Sequence, residues 1–305
     1  MEYIISPEND GKQVKYILHS VLGLSRACVM RIKYMPDGIL LDGVRVTVRA
    51  AVKEGQVLTC AVEDRAEDEN EKIAPSEDDP DILYEDGDCM AVNKPTDMPT
   101  IPTHGHMTDT LANVCVGHMR RRGEHFVFRP VNRLDRETSG AVLIAKNKPA
   151  AARLGKAMLE KRIKKKYIAI LHSASLPEKG EISGYIARSR DSIIMRVLGT
   201  EGKESEWSLT RWKKLASDGE YTVVEAEPVT GRTHQLRLHF SSIGAPIDGD
   251  GLYGEGDGGA CGRLALHAHV LAFPGGDGEK VTVTAPVPRE MDAVIQRIKG
   301  DNDNE

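Results

Sequence analysis

A charged loop, Asn132-Arg133-Leu134-Asp135-Arg136-Glu137-Thr138-Ser139-Gly140, is set between two apolar runs. Phe126, Val127 and Phe128 precede it, and Ala141-Val142-Leu143-Ile144-Ala145 follows. Both flanks predict short buried strands, which places the loop where two core elements meet. A lone aspartate between two arginines, on a turn rich in Thr, Ser and Gly, serves packing poorly. It suits a carboxylate held in place for chemistry, and equally an aspartate that stabilises its own turn. Thr138 and Ser139 are placed to hydrogen-bond local backbone, and Gly140 to take a conformation closed to other residues.

A chain of 305 residues predicts one large domain plus a small one. Residues 63–80 are acidic, contain Pro75 and Pro80, and read as a self-repelling linker. The expected division is a small domain over 1–62, the linker 63–80, a large domain over 81–300 and an acidic tail over 301–305. No run is apolar and long enough to span a bilayer, and Met1-Glu2-Tyr3-Ile4-Ile5-Ser6-Pro7 lacks a signal-peptide pattern, so a cytoplasmic location is expected. Cys28, Cys60, Cys89, Cys115 and Cys261 are scattered with no C-x-x-C pair, which indicates neither a disulfide framework nor a zinc site. His104 and His106 lack a nearby third ligand and read as an exposed loop pair. The net charge of −5 argues mildly against a nucleic-acid partner, but its distribution argues otherwise. Acid concentrates between Glu63 and Asp88, and base at Arg120-Arg121-Arg122 and at Lys161-Arg162-Ile163-Lys164-Lys165-Lys166.

In the small unit, Val14, Ile17, Leu18, Val21 and Leu22 have helical spacing and Gly23 offers a C-cap. Ser25 is placed to cap a second helix from Arg26 to Tyr34. Strands around the Asp42-Gly43 turn and over Val57 to Val62 follow. In the large unit, Ile82-Leu83-Tyr84 and Cys89 to Asn93 flank Asp86-Gly87 as a hairpin. Helices are expected over Thr108 to Arg122, from Pro149 with a basic end at 161–166, from a Thr233 cap, and over Pro288 to Ile298. Strands are expected over Tyr167 to Leu171, in the alternating 180–214 stretch, and over Tyr221 to Glu227, Leu264 to Phe273 and Val281 to Ala285. The formal G-x-G-x-x-G at Gly249 to Gly254 opens no βαβ unit and is rejected as a dinucleotide site.

Arg133-Leu134-Asp135, followed by Thr138-Ser139-Gly140, resembles the signature of the RluA family of pseudouridine synthases, with Asn132 where the family usually has His. Ala91-Val92-Asn93-Lys94-Pro95 with Thr110-Leu111-Ala112-Asn113, Lys165-x-Tyr167-x-Ala169, and Gly231-Arg232-Thr233-His234-Gln235-x-Arg237-x-His239 are similar to further signatures, as is the segment with Pro246, Gly249, Asp250 and Tyr253. The resemblance covers roughly residues 81–288. It implies an α+β fold with a mixed, mostly antiparallel sheet, flanking helices and a central cleft. It implies isomerisation of uridine in RNA, ribosomal RNA favoured over transfer RNA, with no cofactor, no metal and no obligate protein partner. It makes Asp135 the nucleophile or base, Arg237 its ion-pair partner and Tyr167 the residue against the target base. Arg133 is then the side chain that fills the space of a flipped base, with Asn132, Arg232, His234 and Gln235 binding the substrate beside it. The basic clusters near 120 and 161–166 are expected to hold phosphates. Exchange of Asn132 for His is expected to alter loop support and leave activity standing.

The small unit resembles the RNA-binding domain first seen in ribosomal protein S-four, with Arg26, Arg31 and Lys33 toward RNA. Two other readings compete: an RNA-binding protein of the same fold without catalysis, and a glycoside hydrolase pairing Asp135 with Glu137.

Overall fold

The computed structural model describes residues 1–24, 26–62, 73–173, 176–189, 192, 194–254, 256 and 258–302. The Ser25 cap, residues 63–72 of the acidic stretch and the tail residues 303–305 lie outside them.

Strands β1 (Glu2–Ile4), β2 (Ile39–Leu41), β3 (Val44–Arg45) and β4 (Val57–Cys60) make a four-stranded sheet in the order β1-β4-β2-β3. Asp42 and Gly43, both at positive φ, form the tight turn of the β2–β3 hairpin. Helix α1 (Val14–Tyr16) runs on as a wider turn over Ile17–Val21, and α2 (Arg26–Ile32) follows. Together they close a separate apolar core of Val14, Ile17, Leu18, Val29, Ile32 and Leu58.

The remaining strands are β5 (Ile82–Glu85), β6 (Cys89–Lys94), β7 (Arg129–Pro130), β8 (Ser139–Ala145), β9 (Lys164–His172), β10 (Lys179–Arg188), β11 (Arg196–Gly199), β12 (Ser205–Ser217), β13 (Tyr221–Pro228), β14 (Leu266–Pro274) and β15 (Lys280–Thr284). They form one 11-stranded sheet, ordered β11-β10-β12-β13-β9-β14-β8-β6-β5, with β15 beside β14 and β7 beside β8. Among the described strands only β14 and β8 run parallel, so the expected mixed, mostly antiparallel sheet is observed. Helices α3 (Leu111–Arg121), α4 (Lys148–Leu159), α5 (Gln235–Ser242) and α6 (Arg289–Asn302) cover it. Strand β8 is buried along its length because its alternate side chains enter different cores. Val142 and Ile144 join Leu111 and Cys115 of α3, while Ala141 and Leu143 join Ala150 and Leu154 of α4.

The register sets up the site. Lys94 pairs with Gly140, Gly140 with Ala268, Ala268 with Tyr167, and Tyr167 with Ala226. These residues form one row across five strands, with side chains on a common face. Gly140 is obligatory in this row. Its φ is +113°, and a Cβ there would lie 2.3 Å from the Ala268 carbonyl oxygen.

Several expectations are corrected. Phe126 to Phe128 are buried but unpaired, and pairing starts at Arg129. Phe126 and Phe128 instead meet edge-to-face in the core, with ring centroids 6.4 Å apart. The helix expected from Thr108 starts after Thr110, whose side chain joins Asn113 in a reciprocal cap. Helix α5 is not capped by Thr233. Its cap is His234, held at φ 56° with no capping side-chain bond. The basic stretch 161–166 is no helix end either, since Lys161 turns the chain at φ 56° and β9 starts at Lys164. The described part of the acidic stretch, 73–80, is fastened to α3. Ser76 N–H donates to the Asn113 carbonyl, and Arg121 donates to the Ser76 and Asp78 carbonyls and to Asp79.

Candidate active site

The loop between β7 and β8 enters a cleft of about 800 Å³ at the parallel junction of the sheet. Its backbone is pinned on both sides of Asp135. The Thr100 hydroxyl donates to the Leu134 carbonyl (2.9 Å) and accepts from the Leu134 N–H (3.2 Å). The Lys94 ammonium donates to the carbonyls of Pro95, Met98 and Arg136 at 2.8, 2.6 and 3.1 Å. Thr96 donates to the Glu137 carbonyl at 2.9 Å. Burial pushes Lys94 down to about 7, against the field of Asp135, which favours the ammonium. The carboxylate of Asp135, half-buried and lining the cleft, has no hydrogen-bond or ion-pair partner among the described residues. A rigid backbone carrying an unoccupied carboxylate is suited to act on a ligand rather than to stabilise its own turn.

Thr138 and Ser139 differ from expectation. The Thr138 hydroxyl is buried at the cleft with no partner among the described residues. Ser139 reaches across strands to His267 Nδ1 (2.8 Å) and receives Arg263 Nη2 (2.8 Å). His267 is a core histidine, pushed down to about 4 by burial.

Tyr167 is both a core residue and part of the cleft wall. Burial first, and the charge of Asp135 second, push its phenol well up. Arg237 is 2% exposed, and its guanidinium is spent on residues other than Asp135. Nε and Nη2 make a fork to Asp250 at 2.8 and 2.6 Å, and Nη1 meets Glu137 at 2.8 Å. Burial works against this charge, but Asp250, with Glu137 and Asp135, overcomes it and holds the guanidinium above its ordinary value. Asp135 thus feels Arg237 as a field, while the direct pair expected from sequence forms with Asp250. Asp250 also accepts the N–H groups of Leu252 and Tyr253. Sequence reasoning missed Glu137 and Asp250 in this role. The similarity of the Asp250 segment to a family signature was the available signal.

Of the expected substrate-binding residues, Arg133 and Arg232 lie on the wall of the cleft. Arg232 is tethered to the Trp207 carbonyl (3.1 Å) and to Glu206 (2.5 Å). His234 lines the same wall, meets Tyr253 Oη at 3.0 Å through Nδ1, and has its pKa lowered by burial. Gln235 and Asn132 line it too, but both are committed to the protein. The Gln235 amide accepts from Thr230 and the Arg232 N–H, and donates to the Leu209 carbonyl and Thr210. Asn132 donates to the Ala141 carbonyl (3.2 Å) and accepts from the Leu143 N–H (2.8 Å), tying the loop to β8. Asn132→Ala is therefore expected to lose about 2 kcal/mol in urea unfolding, because two buried backbone groups lose their partners.

The basic clusters divide. Arg121 and Arg122 are neutralised by Asp79, Glu85 and Glu124. Lys164 and Lys166 face Glu227 and Glu225 across the sheet. Lys161 and Lys165 line the cleft, form no ion pair with the described residues, and Lys165 is pushed down by burial. The phosphate-holding expectation therefore narrows to these two and to Arg120, which is exposed and forms no ion pair with the described residues. Glu137 is bound to Arg237, so it is not the free second carboxylate that a glycoside hydrolase needs.

The family described as RNA pseudouridylate synthase matches residues 88–242. The chain is similar to the RNA pseudouridine synthase YjbO of Bacillus subtilis (strain 168), 33% identical over 282 residues that cover 92% of this chain and 96% of that one. It is also similar to ribosomal large subunit pseudouridine synthase D of Borreliella burgdorferi, 34% identical over 62% of this chain and 60% of that one. Among solved structures, human RNA pseudouridylate synthase domain containing 1 superposes with a TM-score of 0.56 at 29% identity, over 73% of this chain and 96% of that one. A family match across half the chain, and a relative aligned along nearly all of it, establish that this protein belongs to the RluA-type family of RNA pseudouridine synthases.

Proposed function

We propose that this enzyme converts specific uridines of structured RNA to pseudouridine, with ribosomal RNA favoured over transfer RNA, and that Asp135 is its nucleophile or base. One observation carries the reading: Asp135 sits on a loop braced at Leu134, Arg136 and Glu137, with its carboxylate unengaged and facing the cleft that Tyr167 lines. A flipped uridine is accommodated there at the cost of its stacking. The C1′–N1 bond breaks while Asp135 attacks the ribose or takes a ribose proton. The uracil turns and C5 bonds C1′ as the Asp135–C1′ bond breaks or, in the proton-transfer route, as Asp135 returns its proton to the ribose; the C5 hydrogen then leaves as a proton and N1 is protonated. Tyr167 lies against the base, Arg237 holds the charge balance around Asp135, and Arg133 fills the vacated stack. Arg232 and His234 complete the wall, while Asn132 and Gln235 position its backbone.

In this reading residues 1–62 are a small RNA-binding domain of the ribosomal protein S-four kind, supported by two helices, a hairpin and a closing strand. The stretch 63–80 links it to the catalytic domain over 81–300, and the location is cytoplasmic. Among the described residues no helix is long and apolar enough to cross a membrane. The name of the Borreliella relative supports the ribosomal preference. The test is tritium release from RNA labelled at uracil C5 and isolated from cells lacking the protein. Release from the ribosomal fraction and not the transfer-RNA fraction is expected. Release from transfer RNA alone would move the target. Release from neither would favour an RNA-binding protein of this fold without catalysis.

A further inference from the structure

The two units meet at α4. The Gly23 position approaches the Ala152 carbonyl, Ala152 packs on the small unit's core, and Lys156 Nζ reaches the Ser20 carbonyl (3.4 Å). Beside this junction runs a groove of about 1230 Å³, walled by the small unit and by α4. Lys15, His19, Arg26, Lys33, Arg49 and Lys156 line it, and among the described residues no Asp or Glu does. In a chain of net charge −5 this is a local excess of base. None of its lysines and arginines forms an ion pair with the described residues. Several cations outside the groove, by contrast, are matched: Arg121, Arg122, Arg153, Arg211 and Lys214 each hold a carboxylate. Unmatched cations along a groove mark a surface whose counter-charge comes from a ligand.

Two further features agree. Leu159, the last residue of α4 and 86% exposed, lines both this groove and the catalytic cleft, so the two hollows share one ridge. Gly155 lies inside α4, where glycine weakens a helix, and a Cβ there would meet nothing within 4 Å. No packing with the described residues requires that glycine, whereas a close-lying strand would.

We propose that this groove is a second RNA subsite, built jointly by the small unit and α4, which holds the sugar–phosphate backbone flanking the target uridine. The inference rests on the RNA-modifying reading above. It adds α4 to the RNA-binding surface and gives the RNA one path, from the cleft over Leu159 into the groove.

The test is fluorescence anisotropy of the full chain with a fluorescein-labelled RNA hairpin across a salt series. Arg26→Ala with Lys156→Ala removes one cation from each wall. It is expected to weaken binding ~10-fold and to reduce the slope of log affinity against log salt by about 1 for each phosphate that is no longer neutralised. Arg211→Ala, which removes a cation already held by Glu181, is expected to leave the slope unchanged. Gly155→Gln is expected to raise the melting temperature or leave it unchanged while weakening the hairpin. That combination separates obstruction of the groove from damage to the fold. Wild-type slope and affinity in both groove variants, with tritium release intact in the native enzyme, would overturn the groove and spare the RNA-modifying reading. No hairpin binding and no tritium release by the native enzyme would overturn both.

Discussion

Asp135→Asn is expected to abolish tritium release from C5-labelled RNA, with a loss of ~10³-fold or more, while leaving the fold in place. The substitution keeps the shape of the side chain and removes its charge and nucleophilicity. Stability is expected to change little because the carboxylate has no partner among the described residues to lose. Its loop is held by Thr100, Lys94 and Thr96 through the backbone. The electrostatic surroundings do change. Asp135 favours the Lys94 ammonium and disfavours the Tyr167 phenolate, so its neutralisation lowers both of those pKa values. Asp135→Ala, measured beside it, guards against a residual role for the amide. Both variants should melt close to the native protein and bind the RNA hairpin with native affinity. Tritium release at a native rate by either variant would remove Asp135 from the chemistry. Glu137 would then become the next carboxylate to test, since it lies on the same loop and also meets Arg237.

What the sequence reveals here depends on distance along the chain. The alternation over 180–214 and the apolar run 141–145 are local patterns, and the sheet follows them. The loop around Asp135 stands out for the same reason, because its charge contrasts with its immediate neighbours. Lys94, Gly140 and Tyr167 come to one row only through strand register, and no pattern within any one segment encodes that pairing. The partner of Arg237 is likewise a tertiary fact. The spacing on α5 shows that Arg237 is on a helix, but Asp250 reaches it from an irregular segment thirteen residues on. Charge runs misled in the opposite direction. Arg121 and Arg122 look like a phosphate site until the acids of the stretch before β5, and Glu85 and Glu124, are seen beside them. The groove cations are dispersed through the sequence from Lys15 to Lys156 and form no run at all.

Arg237→Met is expected to cost about 3–5 kcal/mol of stability and to silence the enzyme, and the two effects are separable. Arg237 is a buried cation between two carboxylates, and Asp250 is itself 1% exposed. Removal of the guanidinium leaves the Asp250 charge in a dry site where, among the described residues, the N–H groups of Leu252 and Tyr253 are left to solvate it. Glu137 loses its ion-pair partner beside Asp135 as well. Adding Asp250→Asn to Arg237→Met removes the stranded charge and keeps an acceptor for both N–H groups. A buried pair replaced on both sides is often close to neutral, so the double variant should regain most of the stability that the single one gives up. Its activity should stay absent, because the positive field acting on Asp135 is still missing. That divergence, with melting recovered and tritium release not, would assign Arg237 a part in the chemistry beyond holding its segment in place. Recovery of both would reduce it to a structural residue. Recovery of neither would mean that the fork to Asp250 sets the path of residues 249–254 in a way that the asparagine cannot reproduce.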